Sequence, residues 1–171
     1  MPDIQVSYDP AKRVCDLVFN GRDFALDATP VSAMLISLGT DRRARADDAL
    51  PDAYDDLNPA GPASLLGRRG WCGDALDGQA RLVGSRLWLL NRQKASETVR
   101  KSAEQIVAEA MAWLNTERGL VVDITVRWAR LAEGSGRQSR LEGQGEGSKT
   151  ALAFRVRAGA SVVSMQQSVL A

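Results

Sequence analysis

Histidine is absent from all 171 residues. That removes the commonest general base and the commonest metal ligand together, so any catalysis would have to run on carboxylates or lysine. Cysteine is scarce too: Cys15 and Cys72 stand far apart and build no disulfide framework. They read as reduced thiols in a chain made and used in the cytoplasm, or in an assembly put together there. There is no charge excess, because the formal net charge is only +1. Such a chain has no global attraction for nucleic acid or for an acidic membrane. No apolar run approaches the length of a membrane span, and the opening MPDIQVSYDP lacks the charged-then-apolar pattern of a secretory signal.

What is present suits one globular domain with a real core: 44% hydrophobic and 25% charged residues over this length. Ile4, Val6 and Tyr8 share one face of a strand, Asp9-Pro10 breaks it, and Val14 to Phe19 forms a second run. Asn20-Gly21 then precedes a third run around Phe24 and Leu26, a strong hairpin signal because both turn residues tolerate positive φ. A helix follows, with Thr29 as N-cap, Pro30 as first residue and Gly39 as the closing left-handed residue. Val31, Met34, Leu35 and Leu38 give it one apolar stripe.

Residues 40–62 form a polar loop kept extended by Pro51, Pro59 and Pro62. Gly84-Ser85 looks like the cap of a further helix carrying Leu87 and Leu90. Ser96 caps the longest helix, whose stripe runs Val99, Ala103, Ile106, Val107, Ala110, Trp113 and Leu114 before Gly119 stops it. Val122 to Trp128 and Leu152 to Val156 alternate as half-buried strands, and Val162-Val163 adds a short piece. Residues 133–148 hold five glycines and read as a Gly-rich hairpin loop. The expectation is α+β: an antiparallel sheet, made of an N-terminal meander and a C-terminal hairpin, packed with about three helices in a single domain spanning 1–171.

The stretch from Arg68 to Leu90 resists simple periodicity, yet it holds two of the four tryptophans. An irregular backbone rich in Trp and Arg is usually holding something fixed, its own fold or a neighbour. Arg68, Arg69, Trp71, Arg81, Arg86 and Trp88 resemble a nucleic-acid patch of basic and aromatic residues. Trp88, however, sits among Leu87, Leu89 and Leu90, which favours core or protein contact.

Catalytic readings are thin. Asp41, Asp74 and Glu97 could be nominated as a glycosidase-type carboxylate pair, but nothing marks one as apolar-flanked. Cys72 lacks a histidine base, and Gly134-Ser135-Gly136 lacks the Lys-Ser/Thr ending of a phosphate loop. Asp47-Asp48 and Asp55-Asp56 match no calcium-loop spacing, and Arg42, Arg43 and Arg45 lie close enough to neutralise them.

Four blocks in order carry a resemblance: Ile36-Ser37-Leu38-Gly39-Thr40-Asp41-Arg42-Arg43-Ala44; Asp47-Asp48 with Leu50-Pro51; Arg69-Gly70-Trp71-Cys72-Gly73-Asp74; and Gly84-Ser85-Arg86-Leu87-Trp88-Leu89-Leu90. From Pro30 to Leu114 the chain resembles the Mu-like phage baseplate protein family, which is related to the lysozyme-like baseplate wedge subunit of T-even phages. Relatives often carry Trp-Trp where this chain has Trp71-Cys72. The resemblance implies a non-enzymatic subunit of the inner baseplate wedge of a contractile tail, six copies per baseplate, within the virion. It would bind other wedge proteins, the tail sheath protein and tube or hub proteins, and give the sheath a platform on which to start. It implies no cofactor or metal, and no nucleic-acid or membrane partner. Related subunits meet the sheath by strand addition at an open sheet edge. Asp41, Arg42, Arg43, Asp48, Arg69, Trp71, Asp74, Arg86 and Trp88 are then expected to form a structural clasp or interface, with arginines paired to Asp41, Asp48 or Asp74. The competing readings are a carboxylate-dependent peptidoglycan hydrolase and, more weakly, a nucleic-acid-associated protein.

Overall fold

The N-terminal strand is split between two partners. In the computed structural model, which describes residues 2–51, 67–79, 81–91, 93–130 and 150–168, β1 (Asp3–Ile4) pairs with β4 (Leu26–Asp27). The following β2 (Val6–Asp9) pairs with β3 (Val14–Leu17). Residues 18–25 fold out between them as a small hairpin, with Phe19 bridged to Phe24 and the Asn20 N–H donating to the Asp23 carbonyl at 3.0 Å. The Asn20-Gly21 turn is therefore where the sequence puts it, with Gly21 at φ +96°. The meander itself is two ribbons meeting at Gln5, whose N–H donates to Ala25 and whose carbonyl accepts from Val18.

Helix α1 (Val31–Gly39) starts one residue later than its pattern suggests, with Pro30 just outside it. Thr29 still serves the start, its hydroxyl accepting from the Val31 N–H at 3.3 Å. Asp27 does more: its carboxylate accepts from the Ser32 N–H at 3.1 Å, the Ser32 hydroxyl at 2.8 Å and the Thr29 hydroxyl at 2.6 Å. Burial pushes the Asp27 carboxyl up, but these bonds outweigh it and bring it down to about 2. Gly39 does not close the helix in the left-handed region. It is the last helical residue, and the chain leaves through an extended Thr40. Helix α2 (Glu97–Arg118) keeps both of its expected ends. Ser96 accepts from the Val99 N–H, and Gly119 turns out at φ +62°.

The expected third helix is a correction. Leu87–Leu90 is a single turn of 3-10 helix, as is Cys72–Leu76, so the described residues hold two α-helices. Four apolar residues in a row have no helical stripe to propagate, and the segment is instead consumed by side-chain burial. The C-terminal strands β5 (Val122–Arg130), β6 (Thr150–Ala158) and β7 (Ser161–Ser168) form an antiparallel sheet in that order. The piece expected around Val162-Val163 is thus a full eight-residue strand. The fold is α+β. Asp55-Asp56 and the loop at 133–148 lie outside the described residues.

Both helices pack on one face of the sheet, where Val126, Leu152, Phe154, Val156 and Val163 meet Met34, Leu38, Val107, Met111 and Leu114. Each such side chain, fully buried, contributes about 2 kcal/mol relative to exposure. The opposite face carries Asp123, Arg127, Arg155, Arg157 and Ser164, all exposed.

Candidate functional site

The irregular middle of the chain is built by zipping two distant segments together. Asp41 and Ser85 form a parallel bridge. The Ser85 N–H donates to the Thr40 carbonyl at 2.8 Å, the Arg42 N–H donates to Ser85 at 2.9 Å, and the buried Ser85 hydroxyl donates to Leu38 at 2.9 Å. Gly84 permits this approach. It sits at φ +99°, and a Cβ there would lie 2.3 Å from the Thr40 carbonyl oxygen. The Gly84-Ser85 pair read as a helix cap is a backbone clasp.

Arginines close the clasp. Arg69 pairs with Asp41 and lays its guanidinium over the Trp88 ring, 4.7 Å from the centroid. Trp88 is 2% exposed, and its indole N–H donates to the Arg42 carbonyl at 2.9 Å. It is a core residue, packed with Ala44 and Leu89. Arg86 reaches Asp48 at 2.6 Å with one nitrogen and Glu109 of α2 at 2.6 Å with another. Arg42 and Arg45 also reach Glu109, at 3.5 and 3.0 Å. Burial raises the Glu109 carboxyl, yet the Arg86 hydrogen bond and the three guanidinium charges outweigh it and hold it below its ordinary value. Asp48 is lowered in the same way, burial again opposed by Arg86.

Of the nine residues picked from sequence, Asp41, Arg42, Asp48, Arg69, Arg86 and Trp88 come together here. Arg43 packs against Gly70, its Cβ and Cα standing 2.8 and 3.2 Å from where a Cβ on Gly70 would be. Asp74 takes a different partner from the expected arginine: its Oδ1 accepts from the Val83 N–H at 3.0 Å, while its buried Oδ2 has no partner among the described residues. Trp71 faces outward, 53% exposed, with Leu76 beyond it at 88%. The segment around Trp71 is tied by Asp74 and by Asp77, which Arg81 grips at 3.0 Å. Cys72 is exposed and unpaired, like Cys15. Sequence reasoning missed Glu109 as the anion at the centre. It stood on the polar face of α2, and only its one-to-many pairing in space distinguishes it from its neighbours.

A second feature is the sheet edge. The Tyr8 hydroxyl meets both the N–H and the carbonyl of Gln166, at 3.3 and 3.4 Å. Those groups therefore point away from β6. On the other edge the Val126 carbonyl points away from β6 too, where it accepts from Arg100 at 3.2 Å. The two agree with the alternation of an antiparallel ladder in the observed register. It follows that Val162 and Ser164 direct their N–H and carbonyl groups outward from β7. Beside the C-terminal half of β7 opens a cavity of about 210 Å³, lined by Leu38, Leu87, Met165 and Gln167 among others.

The catalytic nominees have other work. The Asp41 carboxylate is tied to Arg69. Glu97 is pulled below its ordinary value by hydrogen bonds from Arg100, the opposite of what a general acid needs. Among the described residues no group of three metal-binding side chains exists, and no helix is long and apolar enough to cross a membrane.

A family model described as "Phage protein GP46" matches residues 30–156. The chain is 40% identical over 119 residues to the baseplate protein gp46 of Escherichia phage Mu, covering 70% of this chain and 72% of that protein. It is 29% identical over 99 residues to the Mu-like prophage FluMu protein gp46 of Haemophilus influenzae, covering 58% of this chain and 57% of that protein. No solved structure gives a significant match. The family match runs past Leu114 to residue 156, so it takes in β5 and most of β6 as well as the four sequence blocks.

Proposed function

Because this chain belongs to the phage protein GP46 family, we propose that it is a structural subunit of a phage tail baseplate, acting by holding neighbours rather than by catalysis. Support comes from a relative whose name is baseplate protein and from a clasp whose charged groups are spent on one another. In this reading the protein is a virion component of the inner wedge of a contractile tail, in six copies. The clasp stiffens the segment 71–79, which presents Trp71 and Leu76 to wedge, tube or hub proteins. An exposed aromatic on a braced loop is the usual form of an interface anchor.

The sheath contact is assigned to the outer edge of β7. The carrying observation is the unequal protection of the two edges. On β5 a guanidinium, itself held by Glu97 and Glu104, blocks the centre of the strand. On β7, among the described residues, two long bonds from Tyr8 intervene, near one end. An uncovered edge invites another strand, and a charged group on it discourages one. The test is Ser164→Pro. It deletes an outward N–H and leaves the ladder to β6 intact, a position where proline is tolerated. The variant is expected to unfold at nearly the wild-type temperature and to incorporate into baseplates that fail to grow a sheath in electron micrographs. Normal sheaths on Ser164→Pro baseplates would overturn the assignment.

A further inference from the structure

We propose that the strand received at β7 alternates apolar side chains with carboxylates, the carboxylates lying on the outer face of the sheet over Arg155 and Arg157. This rests on the strand-accepting role of β7 proposed above.

The argument begins with how the chain spends its arginines. Arg42, Arg45, Arg69, Arg81, Arg86 and Arg100 are all committed to carboxylates within the molecule. Arg127, Arg155 and Arg157 are not: all three are exposed, and none has an ion pair among the described residues. Register places them on one face with one another. Arg155 stands opposite Thr125 on β5 and Ser164 on β7, and Arg157 stands opposite Asp123 and Val162. Among the described residues Asp123 is the one anion on that part of the face, against three cations, so their balance there is positive although the whole chain is near neutral.

A strand added outside β7 would lie two strand spacings from β6, roughly 9.5 Å. The side chain standing between is Ser164 or Val162, neither longer than a few atoms. An arginine on β6 can therefore extend across β7 to a carboxylate on the newcomer, and the guanidinium fork favours carboxylate over a neutral amide. The other face of the newcomer looks toward Met165 and the cavity beside it, where Leu38, Leu87 and Phe154 stand with Asp41 and Gln167; the apolar part of that lining favours apolar side chains there. Alternation follows from the pleat, since successive side chains point to opposite faces. Among the described residues the face lacks the aromatic side chains that would stack bases, which disfavours single-stranded nucleic acid as the occupant.

The test uses the full chain and three capped peptides of about ten residues. Each alternates valine with glutamate, glutamine or lysine, and binding is read by fluorescence anisotropy at low salt and at about 0.5 M salt. The glutamate peptide is expected to bind about tenfold tighter than the glutamine peptide, with the advantage shrinking in high salt. Arg155→Gln/Arg157→Gln should erase the difference and Arg155→Glu/Arg157→Glu should hand it to the lysine peptide. Ser164→Pro should abolish binding of all three. If glutamate and glutamine peptides bind equally and Ser164→Pro still abolishes both, strand addition stands and the charge selection is wrong. If none of the peptides binds, the strand-accepting reading falls and the present proposal falls with it. Binding of a single-stranded oligonucleotide that is lost in Arg155→Gln/Arg157→Gln would overturn the proposal by giving the face to nucleic acid.

Discussion

At the scale of single residues, the two tryptophans of the middle segment do opposite jobs. Trp88 fills core space and satisfies a carbonyl, so Trp88→Ala should cost about 4 kcal/mol, read as a large drop in unfolding temperature. Trp71 is over half exposed, and Trp71→Ala should change stability by no more than about 0.5 kcal/mol while weakening incorporation into baseplates. Equal loss of stability in both variants would make the loop internal scaffolding. Gly84 is a third single point of failure. With positive φ and a carbonyl oxygen where its Cβ would go, Gly84→Ala should destabilise by about 3 kcal/mol, measurable by chemical denaturation. Sequence could say that Trp88 lay among leucines and hence inside. It could not say that Gly84 met Thr40, because a contact between residues so far apart leaves no local period.

At the scale of elements, α2 is tied to the middle segment chiefly through Glu109, a carboxylate facing three arginines, with Glu117 adding a contact to Arg81. Replacing it, Glu109→Gln, leaves those cations facing a neutral amide and should cost about 2 kcal/mol. The pH dependence has a definite sign. Glu109 and Asp48 are both held below their ordinary values of 4.5 and 3.8. Their contribution is therefore complete above those values and is lost as pH falls through the lower folded ones. The unfolding temperature should stay level from neutral pH to about 5 and then decline, and Glu109→Gln should flatten part of that decline. On β7, Tyr8→Phe removes the hydroxyl that covers Gln166 at a cost below about 1 kcal/mol. It should tighten strand peptides or raise self-association in sedimentation; unchanged affinity would mean that Tyr8 guards nothing. Helix ends were the most legible elements: Ser96 and Gly119 act through chemistry within one turn of themselves. Leu87–Leu90 was misread because burial, not periodicity, fixed its shape.

At the scale of the whole molecule, the α+β layering followed from alternation in β5 and β6 and the stripes of α1 and α2. The partner of each N-terminal run did not, since β1 and β2 lie on one strand and choose different neighbours through long-range pairing. The candidate site was half legible. Residue types flagged the arginines and aspartates, but Glu109 and the Tyr8–Gln166 contact depend on which surfaces the fold brings together. One further expectation concerns the complete protein: zymograms on purified peptidoglycan should stay dark at all protein loads. Clearing that disappears in Asp41→Asn or Asp74→Asn would reinstate the hydrolase reading.

The outward-facing indole of Trp71 makes the protein its own optical reporter. Trp88 is sealed and Trp113 and Trp128 are partly covered, so iodide should quench the Trp71 emission preferentially, on the red side of the spectrum. A partner that seats on Trp71 would shield that component and shift it to shorter wavelength, so docking could be followed in real time without attaching a dye.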